Sequence, residues 1–266
     1  MRREGFSKLL IMLTKNGDKK TEKELINFYQ TEKKYFFQME KSHGEKYYAP
    51  ILGILKEKKI SFEGKKILDV GSGTGTFVEV LKKVFGDSFE AVGVDISPIS
   101  REFHRQKKIK FVITDANKLP FKNEAFDFVF SVDVFEHLLN PQLALLEMYR
   151  VTKKGGFILV RTRNYRSPLS TGSLSSVIKA LKDLVKNKNG DLRKTGKLKP
   201  NLVTWGGDED AVSEIFADRF RSSLGKLDGK ILVLKTWTKD GLWEVLNLIP
   251  LVNLMGSMTL FLFKKA

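Results

Sequence analysis

The chain has 266 residues, of which 42% are hydrophobic and 29% charged, with a net charge of +16 and a sequence pI of about 9.7. That is enough chain for one sizeable core with room for an insertion. The absence of cysteine excludes disulfides and thiolate metal sites, and three histidines leave little material for a metal centre. The basic balance points to an anionic partner such as nucleic acid, a membrane surface or an acidic substrate, or to the lysine-rich surface of a protein from a hot environment.

Residues 1–60 read as mostly helical, with aromatics at mixed helical spacings in Glu24–Tyr29, Tyr35–Phe37 and Tyr47–Leu55. Met1-Arg2-Arg3 is followed by an apolar run too short for a secretory signal. Strands and helices then alternate: strand 67–70, helix 76–85, strand 90–95, helix 98–105, strand 110–113, strand 127–132, helix 141–150 and strand 156–162. Ser97-Pro98 and Asn140-Pro141 are good helix starts. This alternation predicts a parallel sheet with helices on both faces. Residues 163–204 break the rhythm with a basic insertion, an amphipathic helix over Ser175–Val185 and a flexible loop from Asn187 to Pro200. Trp205–Asp210 is expected to cap a helix running to about Phe220, and Lys230–Lys235 to form a strand. The apolar stretch from Leu242 to Phe263 is interrupted by Glu244, Asn247, Pro250, Asn253 and Gly256. It therefore reads as a helix over Leu242–Leu254 and a core strand, Met258–Phe263, with no membrane span.

The most informative segment is Lys66–Phe77: an apolar strand ends in Asp69, then Gly71-Ser72-Gly73-Thr74-Gly75 turns into a helix. A glycine-rich loop at a helix N-terminus suits an anionic ligand. Asp95 ends the next strand about 20 residues beyond the last glycine, the offset of a carboxylate that binds ribose hydroxyls. A dinucleotide site would have glycine where Thr76 stands, and a P-loop would need Gly-Lys-Ser/Thr, which is lacking. Asp69, Asp95, Asp115 and Asp133 all fall at strand ends, where ligands of such sheets bind.

Gly-x-Gly-x-Gly preceded by an acid resembles motif I of the class I S-adenosylmethionine-dependent methyltransferases. Thr114–Phe121, Phe126–Leu138 and Lys153–Val160 resemble three further segments of that family, in the same order. The likeness covers residues 65–162 and leans toward the small-molecule, quinone-biosynthesis branch. It implies a Rossmann-like α/β fold with a seven-stranded sheet in the order 3-2-1-4-5-7-6, the last strand antiparallel. It further implies residues 1–60 as a helical cap, residues 61–266 as the methyltransferase domain, and the insertion as part of the substrate cover. The implied cofactor is S-adenosyl-L-methionine. Its carboxylate would be held by N–H groups around Gly71, Ser72, Gly73 and Gly75, and its ammonium would lie near Asp69. Asp95 would hold the ribose, Asp115 and the Ala116 N–H the adenine edge, and Ile96 the adenine face, with Ser131 and Asp133 near the sulfonium.

His137, beside Glu136, is the candidate base; a loop-fixing histidine is the alternative. Gly71 and Gly75 can also be read as turn residues, Asp69 as a helix-stabilising acid and Asp115 as a loop acid. His43 and His104 are placed in a preceding helix and a surface helix, with no assignable role. The expected acceptor is a small molecule, saccharide or lipid-linked compound, possessing an acidic group if the insertion's lysines bind it, and peripheral membrane contact fits such a partner. An RNA methyltransferase is the second reading. It is weakened by the absence of an Asn/Asp-Pro-Pro-Tyr/Phe motif after the fourth strand and of a cysteine nucleophile. A non-catalytic nucleoside-binding module is the third, and an NAD-dependent oxidoreductase the fourth. A cytoplasmic location is expected.

Overall fold

The computed structural model describes residues 19–165, 192, 196–197, 211–237 and 257–266. Three helices come first: α1 (Lys19–Thr31), α2 (Lys33–Ser42) and α3 (Glu45–Glu57). The alternating unit follows as β1 (Lys66–Val70), α4 (Thr76–Phe85), β2 (Glu90–Asp95), α5 (Ser100–Gln106), β3 (Lys110–Ile113), β4 (Phe126–Val132), a 3-10 turn (Phe135–His137), α6 (Pro141–Val151) and β5 (Thr152–Arg163). After it come the short β6 (Gly196–Lys197) and β7 (Ser213–Glu214), α7 (Ala217–Leu224), β8 (Gly229–Trp237) and β9 (Met258–Lys265).

Seven strands form one sheet in the order β3-β2-β1-β4-β5-β9-β8. β1 to β5 run parallel, and β9 is antiparallel to both β5 and β8. With β8 and β9 as the sixth and seventh strands, this is the expected sheet order. Alternate residues of each strand feed two cores. Leu68, Val70, Val129, Ile158 and Val160 pack against α6 and α7, whereas Ile67, Phe128, Phe130 and Leu159 pack against α3 and α4. Central strands buried on both faces require the near-continuous apolar runs seen in the sequence.

Local chemistry sets several element ends. Asn140 caps α6 by accepting from the Leu143 N–H at 3.3 Å, and Pro141 takes the first helical position. One expected helix is displaced. Residues 211–216 are not helical: Ser213–Glu214 pairs with Gly196–Lys197, and α7 starts only at Ala217. The segment's backbone bonds outward instead. Val212 N–H donates to the Glu136 carbonyl and Ile215 C=O accepts from Tyr165 N–H, both at 2.8 Å. Asn164 Oδ1 then accepts from the Ala217 N–H, so the helix cap comes from another part of the chain. The expected helices over Ser175–Val185 and Leu242–Leu254, the loop over 187–200 and the 205–210 cap lie outside the described residues, the lone exceptions being Leu192 and Gly196–Lys197.

Candidate functional site

A cavity opens beyond the carboxyl ends of β1, β2, β3 and β4. Its floor includes Gly71, Gly73, Val94, Asp95, Ile96, Thr114, Asp115, Ala116, Asn117 and Asp133. Gly71, Gly73 and Gly75 have φ of +73°, +51° and +76°, a region that disfavours side chains. A Cβ on Gly71 would collide with Val134, and one on Gly73 would stand 3.0 Å from Met39 Cε. Bare backbone is therefore what lines the cavity here.

The loop's donors do not point where the sequence suggests. The Gly71 and Ser72 N–H groups both donate to the Val94 carbonyl, Gly73 N–H to Asp95 Oδ2 at 2.9 Å, and Gly75 N–H to the Ser72 carbonyl. Three of these amides hold the loop onto β2 and the fourth closes the loop on itself, rather than facing a ligand. Asp95 is the hinge of that arrangement. Its second oxygen accepts from the Ser97 N–H at 2.9 Å. A carboxylate has about four acceptor sites, so each oxygen retains capacity for a ligand hydroxyl. Burial raises the Asp95 pKa, and its bonds to the Ser97, Gly73 and Ile96 amides work against that rise.

At the end of β3, Asp115 is exposed and its Oδ1 accepts from the Asn117 N–H at 2.8 Å. Ala116 lies beside it, half-buried, and Ile96 also reaches the cavity. Asn117, which the sequence did not single out, lines the cavity with a buried Oδ1 that has no hydrogen-bond partner among the described residues. Such an acceptor suits an amino group on a planar heterocycle.

Four of the residues expected to bind ligand do not line the cavity: Asp69, Ser72, Gly75 and Ser131. Asp69 is 2% exposed, and its Oδ2 has no partner among the described residues. Burial and the nearby Asp95 charge push its carboxyl up to about 7. Ser131 is fully buried within β4, where strand alternation turns its side chain into the sheet's core. Gly75 is the left-handed residue that starts α4. Ser72 faces away from the cavity, its Oγ 3.0 Å from His104 Nε2. His104 itself is fully buried, on the inner face of a helix whose Arg101, Glu102, Arg105 and Gln106 are exposed.

Asp133 lines the cavity, and both of its carboxylate oxygens are engaged. Arg161 Nε donates to it at 3.0 Å, Arg161 Nη2 pairs with the other oxygen, and the Tyr47 hydroxyl donates at 2.5 Å. Arg161 also stacks 4.3 Å above the Tyr47 ring and bonds its carbonyl at 2.9 Å. Asp133 has φ of +56°, so β4 ends in a left-handed residue that this clamp holds in place. His43 ends α2, not inside a helix, and stacks on Tyr47 at 4.0 Å. His137 reaches the cavity wall together with Leu138 and Leu139. The adjacent Glu136 is 1% exposed and accepts from Thr162 Oγ1 at 2.7 Å and from the Arg163 N–H at 3.2 Å, which fixes the turn to β5.

Helices α1 and α2 form the roof. Leu25, Ile26, Tyr29, Tyr35, Phe36 and Met39 face the cavity, and no lysine or arginine is among its described lining residues. Two contacts fasten this roof. Ser97 Oγ donates to the Tyr29 carbonyl at 2.5 Å. Glu40 accepts from Thr76 Oγ1 at 2.7 Å and from Lys107 Nζ at 2.8 Å, and Lys107 also reaches the Thr74 carbonyl and Glu79. Thr76, where a dinucleotide site would have glycine, is thus the loop's attachment to the roof. Among the described residues no cluster of side chains suits a metal ion, and no helix is long and apolar enough to cross a membrane.

This geometry has relatives. Residues 68–160 match the methyltransferase domain family. The chain is 33% identical over 105 residues to the ubiquinone/menaquinone biosynthesis C-methyltransferase of Coxiella burnetii, a match covering 36% of this chain and 42% of that protein. The chain thus spans less than half the length of that relative. It is 28% identical over 185 residues to the demethylmenaquinone methyltransferase of Renibacterium salmoninarum, covering 68% and 77% of the two chains. In fold it is similar to the S-adenosylmethionine-dependent methyltransferase of Mesorhizobium loti, with a TM-score of 0.54, 13% identity and coverage of 85% and 99%. It is likewise similar to a SAM-dependent methyltransferase of Thermotoga maritima, with a TM-score of 0.53, 20% identity and coverage of 87% and 99%. The glycine loop, the acids at the strand ends and the sheet order agree with the domain match, and residues 68–160 carry a methyltransferase domain.

Proposed function

We propose that the protein transfers a methyl group from S-adenosylmethionine to a small, largely apolar and aromatic acceptor of the quinone-precursor type. The observation that carries this reading is the contrast within one cavity between an acidic floor and an aromatic roof. The floor holds Asp95 and Asp115, with Asp133 neutralised by Arg161, and the roof holds Tyr29, Tyr35 and Phe36. A cationic nucleoside suits the first and a planar apolar acceptor the second. The names of the Coxiella and Renibacterium relatives support the same acceptor class.

When bound, the cofactor supplies an activated methyl group on a sulfonium whose departure leaves a neutral thioether. The protein's task is alignment and exclusion of water. Asp95 accepts from the ribose hydroxyls; Asn117 and Asp115 accept from the adenine amino group. Ile96 packs on the adenine face, and Gly71 and Gly73 let the methionine end approach the backbone. Asp69, whose buried Oδ2 has no hydrogen-bond partner among the described residues, offsets the ammonium charge. The clamped Asp133 does not take part through its carboxylate; it fixes the end of β4 beneath the reacting groups. His137 takes the acceptor's proton, the role to which imidazole is best suited near neutral pH. The roof closes the acceptor in. An acidic acceptor held by the lysines of residues 163–204 remains a variant of this reading, and its supporting segment lies outside the described residues but for a few positions.

Calorimetry against S-adenosylhomocysteine and NAD tests the cofactor: binding of the first at micromolar concentration and none of the second is expected. Methyl transfer to a demethylated quinol tests the acceptor. His137→Gln is expected to reduce turnover about 10²–10⁴-fold with cofactor affinity unchanged. Unchanged turnover would leave His137 a loop-fixing residue, and tight NAD binding without response to S-adenosylhomocysteine would overturn the reading as a whole.

A further inference from the structure

His104 is a polar side chain beside the glycine loop that the chemistry above does not use. It is fully buried, and its ring lies 4.4 Å from that of Phe111. Nδ1 sits 2.8 Å from the Ser100 carbonyl. A carbonyl only accepts, so Nδ1 carries the proton. Burial favours the neutral ring, in which Nε2 is then an acceptor, and the group 3.0 Å from it is Ser72 Oγ, which must donate. The Ser72 hydroxyl proton is thereby committed to His104 and not to a ligand.

The ring also explains two glycines. A Cβ on Gly93 would collide with His104 Nε2 and with Ser72 Oγ, and one on Gly75 would stand 3.1 Å from Nε2. Gly93 in β2 and Gly75 in the loop leave room for the imidazole between them. From Ser72 the order passes outward along the chain. Its carbonyl accepts from the Gly75 N–H at 2.8 Å, and between them Gly73 donates to Asp95 at 2.9 Å.

We propose that His104 is a positioning residue for nucleoside binding: through its Nε2–Ser72 hydrogen bond it braces the glycine loop from behind and so holds Gly73 against Asp95. The ligand part of this inference rests on the methyltransferase reading; the brace itself does not.

The test uses the full chain. His104→Leu removes the acceptor, Ser72→Ala removes the donor, and His104→Gln places an amide oxygen where Nε2 stood. His104→Leu and Ser72→Ala are each expected to weaken S-adenosylhomocysteine binding about tenfold, about 1.4 kcal/mol. The double variant should lose no more than either alone, and His104→Gln should recover most of the affinity. Ser72→Ala changes so little volume that it keeps the test usable if His104→Leu fails to fold. Two measurements need no ligand. Nitrogen-15 NMR of histidine-labelled protein should report the Nδ1–H tautomer for His104. Amide exchange at Gly73 and Gly75 should quicken about tenfold in Ser72→Ala. Additive losses, unchanged affinity in Ser72→Ala, or unchanged exchange would each overturn the brace. Wild-type protein that binds no S-adenosylhomocysteine would overturn the methyltransferase reading and, with it, the claim that the brace serves a nucleoside, whereas the tautomer and exchange results would still decide the brace.

Discussion

The two ends of the cavity are built in different ways. At the glycine loop, every partner comes from residues 69–107 or from the roof, and most bonds are backbone amides meeting carbonyls or a carboxylate. At the Asp133 end, the clamp joins α3, β4 and β5: Tyr47 and Asp133 are 86 positions apart, and Arg161 bonds a carbonyl 114 positions away. The first end is assembled mostly within one continuous stretch of chain. The second exists only after three distant elements have packed. A buried ion pair of this kind contributes little net stability when intact, yet removing one partner is costly because the other charge is left behind.

The comparison can be broken at its far end first. Arg161→Met should destabilise the protein by about 3–5 kcal/mol, because Asp133 would keep its charge in a mostly buried position without a partner. Chemical denaturation measures this; a loss below about 1 kcal/mol would mean that the clamp is an ordinary surface pair. A double Arg161→Met/Asp133→Asn variant should recover a large part of the loss.

At the near end, Asp95→Ala should act on binding more than on folding. Two charge-assisted hydrogen bonds to ribose hydroxyls, each worth about 1.5–3 kcal/mol, would be lost, so S-adenosylhomocysteine affinity should fall at least tenfold. The Gly73 and Ser97 amides also lose their acceptor. A modest drop in Tm should therefore accompany the change. Unaltered affinity would place the ribose elsewhere.

Asp69 sharpens the contrast through pH. Its carboxyl titrates near 7 in the folded chain and near 3.8 as an ordinary carboxyl. Between those values the folded state binds more protons than the unfolded one, so this group makes stability fall as pH rises from about 4 to about 7. Asp69→Asn should remove that dependence and gain on the wild type at pH 8. Parallel pH profiles for the two proteins would show that the carboxylate is solvated or paired.

The smallest effect is expected at the roof. Lys107→Met and Glu40→Gln break a partly exposed pair worth no more than about 1 kcal/mol. Each should speed S-adenosylhomocysteine release by up to about fivefold while leaving the Gly73–Asp95 hydrogen bond in place. Stopped-flow exchange at low and high salt checks this, and salt should mimic the variants. Identical release rates would mean that the roof is held by its apolar contacts alone.

By itself the sequence determined the framework. Apolar runs ending in acids, glycines in a set order and prolines at helix starts each act within a few residues, so the alternation of strands and helices, the floor acids and most element limits could be read before any coordinates, whereas the sheet order was implied only by the family resemblance. Helix α7 shows where that reach stops. Residues 211–216 carry a helical pattern, but their backbone groups bond to Glu136, Tyr165 and β6, and pairing across space outweighs local propensity. The same reason separates the residues within the site. Glycine spacing announces a tight loop, but only the packed structure turns its amides toward Val94 and Asp95, buries His104 behind Ser72, closes Arg161 on Asp133 and sets Asn117 on the wall. Which groups a polar side chain meets depends on elements far away in sequence, and hydrogen-bond direction carries no trace in residue spacing.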